Sequence, residues 1–481
     1  MMSARQEKRC TSVGVILGLA VFSLLFLLFF SGSTSPLVTY SLCKDSFFFQ
    51  TLGMAWAEGK IPFIHTFDHK GPLIFFIDML GYRITGNGNG ILLIQLPNLF
   101  FYFFLVWKML RELGFSEKRS LALFAAMVGF MALPFNEGNM TEEYSLPWIM
   151  LALLLQNRYF TSLENGSAEH KPLWAAWYGV GAAQAILTRA TNMLTIGVGV
   201  AVIVVILCLR KQWSTLLKNA GAFLLGFALL VLPFVIYYWS VGGLAELYES
   251  TIAANVRYFL SAKTVGPQKL FTMLKFLLFL LPSFGLAVTG LQMLFGKRKA
   301  RACWYALLGL VQIVFFLRGY PYTHYLLLVV PEMLLVFGEI SRWKLGNKLR
   351  CAVWALIFAL CLATFAGSCL YRVRAWKQYR DTVPAYVELA EMIPEGDTVV
   401  GYNAPNAFYI RCGIVPAKKY CLMQHWQAEL TGIAAEIHED FAEDMVDWIV
   451  AVGDTEEIQD ILESSYEIYA ENQGYILYHR K

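Results

Sequence analysis

The ionisable residues of this chain that could do chemistry sit at the edges of apolar blocks. Asp45 lies in YSLCKDSFFF, just past the first such block. Asp68, His69 and Lys70 form FDHKGP, and Glu142 and Glu143 sit in NMTEEY at the start of another block. Arg189 lies in LTRATN between two blocks, while Arg318, His324 and Tyr325 belong to RGYPYTHY. Two carboxylates in one loop can divide labour. One draws a proton from an incoming hydroxyl; the other holds a metal or orients the base. Lys70 and Arg189 could neutralise a phosphate leaving group, arginine as a bidentate fork. The bland alternative for each residue is a helix cap or a contact with interfacial water. Charges near a bilayer are costly, so a set of them at one depth points to a shared cavity. Together the parts suit a reaction on a lipid-linked phosphate.

The elements that must position these residues are membrane helices. Hydrophobic residues make up 57% of the chain and charged ones 15%, against roughly a quarter charged in a soluble protein. From residue 14 to 371 the sequence is a series of apolar blocks, which as helices predict about eleven spans. These cover 14–31, 90–108, 117–135, 144–158, 172–187, 192–209, 217–239, 270–294, 302–317, 322–341 and 350–371. The N-terminal block is longer than the usual apolar core of a signal peptide, about 7–15 residues, and is expected to remain as the first span. Lys and Arg cluster in alternate linkers, at 108–119, 158–171, 210–218, 297–301 and 342–350. The positive-inside rule puts those linkers and the N-terminus in the cytoplasm, and the chemical residues on the outer side.

Residues 72–85, PLIFFIDMLGYRIT, break this parity if they cross. The block is short and carries Asp78 and Arg83, so it is expected to lie on the outer surface, the two charges pairing or snorkelling there. Residues 32–89 then form one long outer loop with a helix over about 46–58 and a turn at Gly59–Pro62. A second outer segment covers 240–268. After Tyr371 the chain reads as an ordinary soluble domain. Helix signals fall at 381–393 and 456–463, strand signals at 398–402, 447–452 and 475–478, which makes residues 372–481 a small extracytoplasmic α/β domain. The nine cysteines show no CxxC pair; Cys412 and Cys421 could form a disulfide or remain thiols. The net charge of +4, dispersed in these linkers, suits membrane topology and not nucleic-acid binding.

DSFFFQTLGMAWAEGKIPFIHTFDHKGPLIFFI resembles the first outer loop of GT-C glycosyltransferases, in particular bacterial members of glycosyltransferase family 39, the protein O-mannosyltransferase and aminoarabinose-transferase group. Asp45 matches the acid that follows the first span. Asp68 and Lys70 match the acid and lysine of a Phe-acidic-Lys-Pro-like element, here with His69 inserted and Gly71 before Pro72. TEEY and RGYPYTHY also resemble elements of small bacterial members. The resemblance implies an inverting transfer of a sugar from a polyprenyl-phosphate donor to an extracytoplasmic glycan, lipid or protein acceptor. It implies Asp45 as general base and Asp68 as a ligand of the acceptor or of a divalent metal ion (Mg, Mn or Zn); whether a metal is used stays open. Lys70 and Arg189 would contact the lipid phosphate. Glu142, Glu143, His324 and Tyr325 would line the sugar pocket, with His69 and Arg318 as further substrate-binding residues. The rival readings are a flippase or transporter for a lipid-linked glycan, which should carry midplane charges on broken helices, and a non-catalytic binder.

Overall fold

A computed structural model describes residues 12–38, 44–167, 169–261, 277–318, 322–343, 346–379 and 383–481. Helices form where the apolar blocks lie. The long ones are α1 (Val13–Phe30), α4 (Asn89–Glu112), α5 (Glu117–Met131), α6 (Thr141–Glu164), α7 (Pro172–Thr188), α8 (Leu194–Leu209), α9 (Trp213–Ser240), α12 (Leu281–Met293), α13 (Lys299–Arg318) and α15 (Asn347–Tyr379). The expected span 322–341 is one continuous rod of two kinds, a 3-10 helix over Thr323–Glu332 followed by α14 (Met333–Ile340). The start of the expected span 270–294 lies outside the described residues. Among the described residues, seven helices are long and apolar enough to cross a membrane, and the chain is a multi-pass membrane protein. Their outward faces are apolar, as lipid demands: Leu225, Leu229 and Leu232 of α9 are all exposed.

The helix α3 (Pro72–Thr85) follows α2 (Lys44–Ala57). Its 14 residues rise about 21 Å, short of a hydrocarbon core of about 30 Å. Pro72 starts it, where a missing N–H costs nothing, and Gly86 ends it at φ 74°. It packs on α2, α4 and α7. Asp78, however, does not pair with Arg83. It is fully buried, and its Oδ2 accepts from Asn139 Nδ2 at 3.0 Å. Ile74, Phe75 and Tyr82 fill the same face of α3, so one face suffices to bury the acid.

The basic linkers meet one another at the far end of α6. Arg158 pairs with Glu112, Arg301 with Glu164 at 2.6 Å, and Arg298 with Glu339 at 2.9 Å. Glu142 and Glu143 stand at the near end of the same helix. Most of these charges therefore sort to two ends of the bundle, with an apolar core of α1, α4, α5, α6, α8 and α13 residues between them; Glu332, buried where the 3-10 helix meets α14 and accepting from Ser283 Oγ at 2.6 Å, is an exception.

The C-terminal domain is a four-stranded sheet in the order β1-β2-β4-β3, with β1 (Val399–Tyr402), β2 (Trp448–Val452), β3 (Tyr466–Asn472) and β4 (Tyr475–Arg480). The first two strands are parallel; the others are antiparallel. Helices over Phe408–Cys412, Gln424–Thr431 and Ala434–Glu443 join β1 to β2. Cys412 and Cys421 are free thiols. The domain shares one apolar core with α2 and α3, in which Phe48, Phe67 and Ile74 pack with Tyr409, Tyr420 and Leu422. Lys60 Nζ donates to the Pro416 carbonyl at 2.6 Å across this junction.

Candidate active site

The FDHKGP segment is pinned from three sides. Phe67 N–H donates to the Lys419 carbonyl at 3.0 Å, and Gly71 N–H to the Thr188 carbonyl at 2.9 Å. Asn255 of α11 (Ala254–Ser261) donates from Nδ2 to the His69 carbonyl at 2.5 Å. Gly71 is required here, since a Cβ would run into the backbone of Leu187 at the end of α7. That contact fixes the segment against the helix that delivers Arg189.

Within the segment the side chains form a chain of contacts. Asp68 is buried; its Oδ1 accepts from its neighbour's backbone N–H at 2.7 Å and faces His69 Nδ1 at 3.1 Å. His69 Nε2 lies 2.7 Å from Lys70 Nζ. An ammonium can only donate, so His69 Nε2 accepts and Nδ1 carries the proton toward Asp68. Burial pushes the Asp68 carboxyl up, yet Lys70 and His69 outweigh it and hold the group below the usual carboxylate range. Burial, reinforced by Lys70, lowers His69 and keeps the ring neutral. Asp68 Oδ2 is buried with no hydrogen-bond partner.

A second group faces it. Arg189 leaves the end of α7 in an extended conformation, φ −151° and ψ 110°. Its Nη1 donates to Glu142 Oε1 at 2.7 Å, and its guanidinium lies 3.5 Å from the centre of the Tyr325 ring. Tyr325 and His324 open the 3-10 helix with their rings edge-on at 4.5 Å. His324 Nε2 in turn stands 3.7 Å from Asp45 Oδ2 in the first turn of α2. Asp45 is about half exposed, at 48%, where Glu142 is at 1%. His324 lies within electrostatic reach of Glu142, Asp45, Arg189 and Lys70, and Arg189 reaches His69.

Asp45, Asp68, His69, Lys70, Glu142, Arg189, His324 and Tyr325 therefore converge at one end of the bundle. Glu143 does not join them. Its carboxylate turns the other way, accepting from Gln95 Nε2 at 2.9 Å and Asn139 N–H at 2.8 Å. Arg318 ends α13, and its side chain lies outside the described residues, as do Gly319, Tyr320 and Pro321. Among the described residues no three His, Cys, Asp or Glu side chains are gathered to hold a metal ion. Asp68 has an ammonium close by and His69 as its partner, a donor set that does not fit a divalent cation. Asn255 was not expected at the site. Nor was Trp426, whose ring centre is 6.4 Å from that of His69; neither stands in a motif, and only the tertiary fold brings them there.

ArnT from Cupriavidus metallidurans bound to undecaprenyl phosphate superposes with a TM-score of 0.63 at 12% identity, covering 97% of this chain and 98% of that one. Its apo state superposes at 0.58 with 13% identity, covering 97% of each chain. The chain has a GT-C fold. No family model matches the sequence, and no curated protein does either. At such low identity the GT-C likeness establishes architecture, and the chemistry rests on the side chains above.

Proposed function

We propose that this protein is a GT-C-type glycosyltransferase that moves a sugar from a polyprenyl-phosphate donor to an acceptor on the outer face of the membrane, with inversion. The observation that carries the reading is the gathering of acids and cations from α2, the FDHKGP segment, α6, α7 and the 3-10 helix at one end of the bundle. The fold is also that of a protein crystallised with undecaprenyl phosphate.

In this reading Asp45, exposed and beside His324, takes the proton of the acceptor hydroxyl. The acceptor oxygen bonds to the anomeric carbon as the bond from that carbon to the phosphate oxygen breaks, and the electron pair leaves with the polyprenyl phosphate. Lys70 and Arg189 face the developing phosphate charge. Glu142 and Tyr325 hold the guanidinium in place, and Asp68 positions the acceptor. The lipid tail reaches the site from the bilayer, so the donor brings its own activation to a compartment without nucleotide sugars.

The test uses the full chain in lipid nanodiscs with a panel of undecaprenyl-phosphate pentoses and hexoses. Asp45→Asn should slow donor consumption by about 100- to 10,000-fold, the range lost with a general base, while undecaprenyl phosphate still binds. A variant that consumes donor like the parent, or a parent that consumes none of the panel, sinks the proposal. A flippase or a binder would tolerate this substitution.

A further inference from the structure

A cavity of about 410 Å³ lies beside the FDHKGP segment, lined in part by Phe67, Glu246, Tyr248, Glu249, Lys419 and Tyr420. Small-molecule pockets run from about 300 to 1,000 Å³. One wall is the turn that leads into Asp68. Its Phe63 sits at φ 71°, a conformation rare for a bulky residue, and is held there by an N–H bond to the Thr66 carbonyl at 2.7 Å. The C-terminal domain supplies Tyr420, whose ring packs on Phe67 at 5.3 Å. The opposite wall is α10 (Leu244–Tyr248) and a single π-helical turn over Glu249–Ala253. Such turns are rare and recur at functional sites. Tyr248 is exposed, and Glu249 pairs with Arg257 at 2.6 Å. Glu246 Oε2 is buried without a hydrogen-bond partner.

We propose that this cavity is the acceptor subsite and that it binds a hydroxyl-rich sugar ring; the assignment rests on the transferase reading above. Aromatic faces carry the negative side of a quadrupole and suit the C–H face of a sugar. A carboxylate oxygen lacking a donor suits its hydroxyls, through charge-assisted hydrogen bonds. A phosphate would face the Glu246 carboxylate, with Glu249 already paired to Arg257 and Lys419 the cation of the lining, and an acyl chain would leave the buried Glu246 Oε2 unsatisfied. The position also suits an acceptor. Phe67 directly precedes Asp68, and Asn255, just beyond the π turn, holds the His69 carbonyl. A ring seated here touches Phe67, the residue before the acid, and the π turn that leads to Asn255.

Saturation-transfer NMR on the full chain in nanodiscs tests this, with the methyl glycosides of mannose, glucose, galactose, arabinose and N-acetylglucosamine as probes. At least one glycoside should receive saturation. Glu246→Gln should weaken its binding about tenfold, about 1.4 kcal/mol; Tyr248→Ala, at an exposed position that folding does not need, should lower it in the same direction. Glu143→Gln, outside both the charged cluster and the cavity, should leave it unchanged. No saturation with any glycoside overturns the proposal, as does saturation insensitive to both cavity variants, which would place the sugar at the Asp45 cluster instead. Donor consumption, measured separately, keeps the two readings apart. A chain that binds glycosides through Glu246 yet consumes no donor refutes the transferase alone. One that transfers sugar with an unchanged acceptor KM in Glu246→Gln refutes the subsite alone.

Discussion

Glu142 and Glu143 are neighbours in the first turn of α6, and the fold sends them into opposite surroundings. Glu142 meets a guanidinium at 2.7 Å, with His324 close by. Glu143 meets amides. Gln95 bridges it to Thr34 Oγ1 at 2.6 Å, and Asn139 bridges it to Asp78 at 3.0 Å. The first region concentrates charge of both signs beside a half-exposed acid. The second ties the end of α1, α3, α4 and α6 together through neutral donors. Burying an ion pair is costly and is a poor way to stabilise a protein, so its retention at Glu142 marks a place where charge is used. The amide network next to it does the mechanical work of setting α3 and α6 in register, so that the charged side chains meet.

The largest effect should come from breaking the charged half. Arg189→Met leaves the carboxylate of Glu142, 1% exposed, without its cation. Removing one partner of a buried pair costs about 3–5 kcal/mol, and loss of a charge-stabilising donor costs about 100- to 1,000-fold in rate. Thermal unfolding in nanodiscs and donor consumption should both fall together. An unchanged melting temperature would mean that the pair is not desolvated, and the contrast between the two acids would dissolve.

A matched pair of substitutions sharpens the contrast. Glu142→Gln removes the charge that holds Arg189 over Tyr325, and donor consumption should drop at least tenfold. Glu143→Gln keeps one oxygen for Asn139 N–H and Gln95, while its new NH2 faces the Gln95 Nε2 donor that Oε1 accepts from at 3.1 Å, at a stability cost of about 1–3 kcal/mol. Its rate should stay within a factor of two of the parent's. A greater loss of rate at Glu143 than at Glu142 would reverse the roles assigned here.

What could be read from the sequence follows from how each feature is encoded. The spans are long-range averages of hydropathy, and charge parity forced 72–85 off the list of spans without any tertiary information. The outcome is a 14-residue α3 packed on α2. Asp45, FDHK, Arg189 and His324 were legible because costly residues stood at the edges of apolar blocks. The direction of a side chain was not. Glu142 and Glu143 look alike in TEEY, and a rotation of one residue about a helix decides which meets Arg189. Asp78 looked like an interfacial charge because its partner Asn139 lies 61 residues away. In the C-terminal domain the buried strands β1 and β2 announced themselves as apolar runs. The edge strand β3, YEIYAEN, did not, since most of its side chains face solvent and its glutamates guard the edge.

The smallest effect separates the two regions by their response to pH. Burial pushes the Asp78 carboxyl well above its usual range, against the opposing hydrogen bond from Asn139 and with added repulsion from Glu143. A carboxyl raised in the folded state contributes its full stability below its unfolded value, about 3.9. That contribution is lost as the pH climbs through the folded value, with a slope of up to about 1.4 kcal/mol per pH unit. Asp68 is shifted the other way, so its contribution is present above the ordinary carboxylate range and fades only on acidification. Between pH 4 and 8 Asp78 should therefore add to any decline in the melting temperature of the parent, alongside other buried carboxyls, while Asp68 is silent. Asp78→Asn keeps an oxygen for the Asn139 amide and has nothing to titrate. It should cost less than about 1 kcal/mol at pH 4, flatten the decline, and overtake the parent at pH 8 with transfer intact. Parallel profiles for variant and parent would mean that Asp78 is ionised in its amide network, and that the two regions do not differ in charge.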